Sequence, residues 1–174
     1  MLAVEEASQS AVDVAPFVIS HTFDARRDLV WKAFTEAERM KNWWGPKGFP
    51  VATCTMDLRP GGTFHYALAV PDGTLMWGRF VYREIVAPER IVFVNSFSDE
   101  GGGLTRHPMI PTWPLELLSV FRFTEDKGRT TFSLEWAPLN APAEDCEMFA
   151  GAHPHMTQGW LGTLEQLEAH LAKG

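Results

Sequence analysis

The feature that most constrains this fold is a series of short segments in which apolar or aromatic side chains alternate with polar ones. Alternation with a period of two is typical of strands that bury one face. Turn residues at Pro71-Asp72-Gly73 and Asp126-Lys127-Gly128 join neighbouring segments as hairpins. The sequence therefore predicts an antiparallel meander, with strands at residues 17–23, 51–58, 63–70, 75–86, 90–97, 115–124 and 130–136.

Two short helices are predicted directly after the first strand. Apolar residues recur at helical spacing over residues 26–34, and Asp24 offers an oxygen that can cap this helix. Thr35 can cap a second helix from residue 36 to residue 43 or 44, and Gly45-Pro46 would end it.

The C-terminal part predicts one long amphipathic helix. Pro142 sits where a first helical turn tolerates proline, and Gly151 and Pro154 predict a kink or a break near His153. Apolar side chains then recur at spacings of three and four residues, at Met156, Trp160, Leu164, Leu167 and Leu171.

Length and composition are those of one globular domain. We expect a disordered tail at residues 1–15 and a domain at residues 16–174. The net charge of −7 and the absence of a Lys/Arg cluster argue against nucleic acid as a partner. Cys54 and Cys146 have neither disulfide-framework nor zinc spacing, and no signal or membrane-spanning segment is predicted, so we expect a cytoplasmic protein without metal or cofactor.

Four motifs carry a resemblance to a known family. They are Val30-Trp31-Lys32-Ala33-Phe34-Thr35, Asn42-Trp43-Trp44-Gly45-Pro46, Asp57-Leu58-Arg59-Pro60-Gly61-Gly62 and Gly159-Trp160. In this order they resemble the activator-of-heat-shock-ATPase-like branch of the START-like (SRPBCC) superfamily, over about residues 17–171. The resemblance implies an α+β helix-grip fold, in which a curved antiparallel sheet wraps around a long C-terminal helix and leaves a cavity between them.

A cavity is also favoured by the number of large side chains on one sheet face. One helix covers less area than such a sheet exposes, and apolar hollows of this kind are common ligand sites. The alternative is that these aromatic residues form a plain core. The predicted ligand-binding residues are Trp44, Phe64, Tyr66, Phe80, Tyr82, Phe93, Trp113, Phe121, Phe132, Trp136, His153, Met156 and Trp160.

Residues 98–114 predict a loop that covers the cavity mouth. Three glycines and three prolines make this segment too long and too irregular for a hairpin. We expect Trp113 or Pro108 to pack near the opening, close to Trp44. We also expect the loop to be more mobile than its flanking strands and to become ordered when a ligand binds.

Few residues are candidates for catalysis. His153 would share a helix face with Met156 and Trp160, where its imidazole could transfer a proton, with Tyr66 or Tyr82 donating a hydrogen bond to a substrate. A buried structural histidine is the alternative interpretation. The Asp57–Arg59 pair is interpreted as structural, and His65 is expected on the opposite, wet face of its strand.

Three functional hypotheses follow. The first is a protein that binds a small hydrophobic or aromatic molecule, and the second is an enzyme of cyclase, dehydratase or hydrolase type that uses cavity residues. The third, suggested by the family, is an interaction module that acts on a chaperone ATPase. A homodimer is also expected.

Overall fold

The computed structural model describes residues 14–173, so the expected tail lies outside the described residues except for its last two positions. Eight strands and four helices make up the described part. The strands are β1 (Phe17–Phe23), β2 (Val51–Met56), β3 (Thr63–Ala69), β4 (Leu75–Val86), β5 (Arg90–Ser98), β6 (Leu104–Thr105), β7 (Leu117–Asp126) and β8 (Arg129–Pro138). The helices are α1 (Arg27–Thr35), α2 (Ala37–Met40), α3 (Ala143–Gly151) and α4 (His153–Ala172).

All strands belong to one antiparallel sheet in the order β1-β8-β7-β5-β4-β3-β2, with β6 paired to the end of β5. The chain therefore runs as a meander except that β1 returns beside β8, where Phe17 pairs with Trp136. The inner face carries the alternating aromatic side chains, which form a continuous core with α1 and α4. The predicted α+β helix-grip architecture is confirmed. Among the described residues, no helix is both long and apolar enough to cross a membrane.

The first two helices begin differently from the prediction. Helix α1 begins after Arg26 without a side-chain cap, and Glu125 Oε1 of β7 accepts a hydrogen bond from the Arg27 backbone N–H at 2.8 Å. The cap expected from Asp24 is therefore replaced by a tertiary contact. Thr35 caps nothing either, because its hydroxyl donates back to the Trp31 carbonyl at 2.8 Å. Helix α2 is a single turn that stops at Met40.

The corner at Trp43, Trp44 and Gly45 is fastened to helix α4. Gln166 Nε2 donates to the Trp43 carbonyl at 3.1 Å and to the Gly45 carbonyl at 2.8 Å, and the Thr163 hydroxyl lies 3.0 Å from the Gly45 carbonyl as a second donor. Gly45 has a φ of +98°, and a Cβ there would lie 2.8 Å from the Phe49 carbonyl oxygen. Glycine is therefore required at the corner both for its backbone angle and for space.

The predicted break in the C-terminal helix is confirmed, because α3 and α4 are separate helices on either side of Ala152. The segment 98–114 is more regular than predicted. It contains β6, which extends the sheet as a short hairpin with β5, with Phe97 paired to Thr105 and Ser98 paired to Leu104. The prediction that this segment cannot form a hairpin was wrong. The many glycine and proline residues are accommodated in the turns on either side of β6.

Two side chains hold the second half of this loop in place. Arg106 Nη1 donates to Asp145 Oδ2 of α3 at 2.9 Å and contacts the carbonyls of Pro111 and Trp113 at 3.3 Å. Within the loop, His107 Nδ1 accepts hydrogen bonds from the backbone N–H groups of Met109 and Ile110 at 3.0 and 3.1 Å. The loop is thus tied to α3, and whether it moves on ligand binding stays a prediction.

The bonds between α4 and the corner generate the first testable prediction. Replacing Gln166 with leucine leaves the Trp43 and Gly45 carbonyls without this donor, so we expect Gln166→Leu to lower the free energy of unfolding by roughly 1–3 kcal/mol in urea titrations. Gln158→Leu is the matched control, because Gln158 is exposed on the same helix. Its effect should stay within about 0.5 kcal/mol. Equal losses in the two variants would contradict a special role for Gln166.

The turn at His107 generates a prediction about pH. Burial lowers the pKa of His107 from its ordinary value, and protonation of Nδ1 would remove the acceptor of two backbone bonds. The unfolded chain therefore binds more protons, so this stabilisation is complete above about pH 6.5, the pKa of the unfolded state, and is lost as the pH falls from there through the lower pKa of the folded state. His107→Asn is the control, because an amide oxygen can accept the same bonds without titrating. We expect the free energy of unfolding of the native protein to fall relative to that of the variant between pH 7.5 and 5.5, whereas parallel curves would refute this.

Candidate functional site

A cavity of about 340 Å³ lies between the inner face of the sheet and helix α4. This volume is at the lower end of the range of about 300–1,000 Å³ that is usual for small-molecule sites. The sheet forms one wall, helix α4 forms a second, and the Trp44 corner and the loop at residues 98–114 complete the lining.

The sheet wall takes side chains from five strands. Because inward and outward positions alternate, residues two apart on β5, Asn95 and Phe97, share the wall, and Ser96 contributes at its edge. The other strand residues that line the cavity are Tyr66, Leu68, Met76, Leu117 and Trp136.

The helix wall is a stripe along the first half of α4. Its residues recur at spacings of three and four, so they lie on one face of the helix: Ala152, His155, Met156, Gly159, Trp160 and Thr163. Gly159 lies in the middle of this stripe, and a Cβ built there meets no atom within 4 Å. The helix therefore leaves space in the cavity at this position.

The corner and the loop complete the lining. Trp44 packs edge to face against Trp160, with ring centroids 5.6 Å apart, and is 8% exposed. The loop contributes His107, Ile110, Trp113 and Pro114, whereas Pro108 is not part of the wall. Trp113 is held against Phe149 of α3, with centroids 5.8 Å apart.

The structure brings together six of the thirteen predicted ligand-binding residues around the cavity. These six are Trp44, Tyr66, Trp113, Trp136, Met156 and Trp160. The other seven residues do not line the cavity. Six belong to the aromatic core, and the seventh, His153, packs beside it between Phe17 and Phe149. The six core residues are Phe64, Phe80, Tyr82, Phe93, Phe121 and Phe132. Of the thirteen predicted residues, some therefore line the cavity and the others lie in or beside a plain core, so each of the two alternatives holds for part of them.

His153 is not part of the cavity wall. Its ring lies between Phe17 and Phe149, at centroid distances of 5.7 and 5.2 Å, and its buried Nε2 has no hydrogen-bond partner among the described residues. On helix α4, the histidine that lines the cavity is His155, and the loop adds His107. His155 lies four residues before Gly159 on this helix, so the two residues share the face that lines the cavity.

Tyr66 provides a neutral hydroxyl at the wall. Burial raises the pKa of Tyr66 to about 12, and the nearby Trp44 indole N–H offsets part of this rise. The phenol is therefore protonated at physiological pH and serves as a hydrogen-bond donor rather than a base. Its ring end lies against Gly78, where a Cβ would come within 2.5 Å of the hydroxyl oxygen. Only glycine at position 78 leaves room for this tyrosine in its observed position.

Two indole N–H groups on wall residues are buried without a partner. Trp136 Nε1 has no hydrogen-bond acceptor in the described part of the chain, and Trp44 Nε1 lies near the Tyr66 hydroxyl but forms no hydrogen bond of normal geometry with it. An unsatisfied buried donor costs about 1–3 kcal/mol. The indole N–H can only donate, so an acceptor is the kind of group that would relieve this cost.

Asn95 is a cavity-lining residue that the sequence analysis did not identify. The alternation from Phe93 to Phe97 places it on the aromatic face of β5, so the signal was present in the sequence. Its Oδ1 accepts a hydrogen bond from the fully buried Ser119 Oγ at 2.5 Å. This bond orients the amide and leaves its NH₂ group available at the cavity wall.

Charged side chains are absent from the lining among the described residues. The Arg59–Asp57 pair forms a hydrogen bond of 2.8 Å but lies at the exposed turn after β2, away from the cavity. Within residues 14–173, no group of three or more His, Cys, Asp or Glu side chains could hold a metal ion. The polar groups that the lining offers are therefore hydroxyl, amide, indole and imidazole groups beside an aromatic surface.

Solved structures share this architecture. A protein from Arthrobacter aurescens, solved in solution by NMR, is 26% identical, with 94% of this chain and 89% of that chain covered and a TM-score of 0.76. Protein Ms6760 from Mycobacterium smegmatis is 24% identical, with 90% of each chain covered and a TM-score of 0.71. Comparison with curated proteins finds no match.

A family profile extends the similarity over most of the sequence. The profile described as Activator of Hsp90 ATPase homolog 1-like protein matches residues 24–172. This range runs from the end of β1 to the last residue of α4 and includes all four motifs that carried the resemblance. The chain therefore belongs to the activator of Hsp90 ATPase homolog 1-like family.

Proposed function

We propose that this protein binds a small apolar or aromatic molecule in the cavity between its sheet and helix α4. The observation that supports this most directly is a volume of about 340 Å³ lined by four tryptophans and no charged side chain among the described residues. Aromatic side chains offer a large contact area, and because they have few rotatable bonds, little side-chain entropy is lost when a ligand binds. Such walls suit the recognition of flat apolar molecules.

The expected affinity is moderate. Burial of apolar ligand surface contributes about 25 cal/mol per Å², from which the loss of translational and rotational freedom is subtracted. A ligand of two aromatic rings should therefore bind with a Kd on the order of 1–100 μM.

The other hypotheses have less support from the geometry. The enzyme hypothesis relied on His153 and on Tyr66 or Tyr82, but only Tyr66 of these lines the cavity. The chaperone-activator hypothesis has the description of the family in its favour. The formation of a homodimer stays a prediction, to be measured by analytical ultracentrifugation.

Gly159 allows a test of binding that does not depend on weakening the fold. Leucine at this position would project into the cavity, and it is about 1 kcal/mol better than glycine in a helix interior. We expect Gly159→Leu to reduce the affinity for the neutral fluorescent probe N-phenyl-1-naphthylamine at least tenfold without lowering the Tm. The measurement is fluorescence titration of the probe beside a thermal melt.

Gly151→Leu is the matched control. Gly151 is also helical and also has open space at its Cβ, but it is exposed and does not line the cavity. This variant should bind the probe as the native protein does. If neither the native protein nor the control binds the probe or a panel of two-ring aromatic compounds, the proposed function is wrong.

A further inference from the structure

The polar groups of the cavity wall are predominantly donors. Asn95 presents its NH₂ group because its oxygen is occupied by Ser119. Tyr66 keeps its proton, and the acceptor nitrogen of His107, Nδ1, is occupied by two backbone N–H groups. The indole N–H groups of Trp44 and Trp136 add two donors, whereas His155 contributes one ring nitrogen that can accept, so donors are in excess on the wall.

The lack of charge in the lining restricts the ligand further. A carboxylate or ammonium group that enters an apolar cavity loses its hydration, and this loss is offset only by an opposite charge or several hydrogen bonds. No Lys, Arg, Asp or Glu lines this cavity among the described residues. A neutral ligand is therefore favoured over an ionised one.

Asn95 is the donor with the best-defined geometry. It lies on the inner face of β5 between the core residue Phe93 and the wall residue Phe97. Ser119, at 0% exposure on β7, holds the amide oxygen at 2.5 Å. Such a partner fixes the direction of the amide before a ligand arrives, which is what selective recognition of a carbonyl oxygen requires.

We propose that the ligand of this cavity is a neutral aromatic molecule with a carbonyl oxygen, and that the amide NH₂ of Asn95, positioned by Ser119, donates a hydrogen bond to that oxygen. This inference rests on the proposed function, since it names the chemical class of the molecule that the cavity binds. It makes Asn95 the residue that selects among aromatic compounds of similar shape.

A matched set of three compounds tests the inference on the native protein. 2-Acetylnaphthalene carries the carbonyl oxygen, 2-isopropenylnaphthalene replaces that oxygen with a CH₂ group of similar shape, and 2-naphthoate adds a charge. Affinities are measured by displacement of N-phenyl-1-naphthylamine. We expect the ketone to bind three- to tenfold more tightly than the alkene, the range for one neutral hydrogen bond, and we expect naphthoate to bind most weakly.

Two variants assign the preference to a residue. Asn95→Leu should bring the affinity for the ketone down to that for the alkene and leave the alkene affinity unchanged or higher. Ser119→Ala keeps the shape of the wall but releases the amide, so it should reduce the ketone preference in part. If Asn95→Leu does not fold, the native protein still tests the preference for the ketone, and Ser119→Ala still tests its assignment to the amide of Asn95.

The possible failures are distinguishable. If ketone and alkene bind equally well to the native protein, or if Asn95→Leu keeps the ketone preference, the role of Asn95 is refuted while the cavity remains a binding site. Tighter binding of naphthoate than of the ketone would refute the neutral-ligand inference. If none of the compounds displaces the probe and the probe itself does not bind, both this inference and the proposed function are wrong.

Discussion

The structure depends on the contact between the Trp43–Gly45 corner and helix α4. A single helix is too narrow to cover the whole inner face of a sheet of seven successive strands. Its distance from the sheet is therefore set by specific contacts rather than by close packing along its length. Gln166 and Thr163 set that distance at one end by donating to the Trp43 and Gly45 carbonyls. At the other end the start of α4 rests on Phe17 and Phe149 through His153. The space between these supports is the cavity.

The same arrangement explains why large aromatic side chains serve as both core and wall. Below the cavity, rings such as Phe80 and Phe93 stack with centroids 4.1 Å apart and fill the interior. At the cavity, the Trp160 ring lies between those of Trp44 and Trp136, with its centroid 5.6 Å from each, and no side chain of residues 14–173 fills the space beside them. Rigid rings cannot bend to close such a gap, so the hollow persists where flexible side chains would fill it.

Sequence reasoning was sufficient for the fold because alternation, turn residues and helix periodicity are local signals. It predicted the bounds of β1 and β4 and the break before α4 correctly. It failed where a residue distant in sequence determines the local structure, as at the start of α1, where Glu125 accepts the hydrogen bond expected of a capping residue. For the site, it identified the tryptophans of the wall but could not separate Trp136 from Phe132, because both share one face of β8. Whether a side chain on the inner face reaches the cavity or is covered by the core depends on the curvature of the sheet and on the position of helix α4, which are tertiary properties. Asn95 could not be identified for another reason, because alternation places its side chain on the inner face but does not indicate whether an amide there lines a cavity or is buried.

The close approach of Tyr66 to Gly78 has a consequence for how such a sequence can diverge. The tyrosine hydroxyl occupies the volume that any side chain at position 78 would need. A change at position 78 is therefore tolerated only together with a shorter residue at position 66, and that exchange would move the hydroxyl out of the wall. The two positions should therefore vary as a pair among homologous proteins, and sequences alone would then show where the hydroxyl has been lost from the wall.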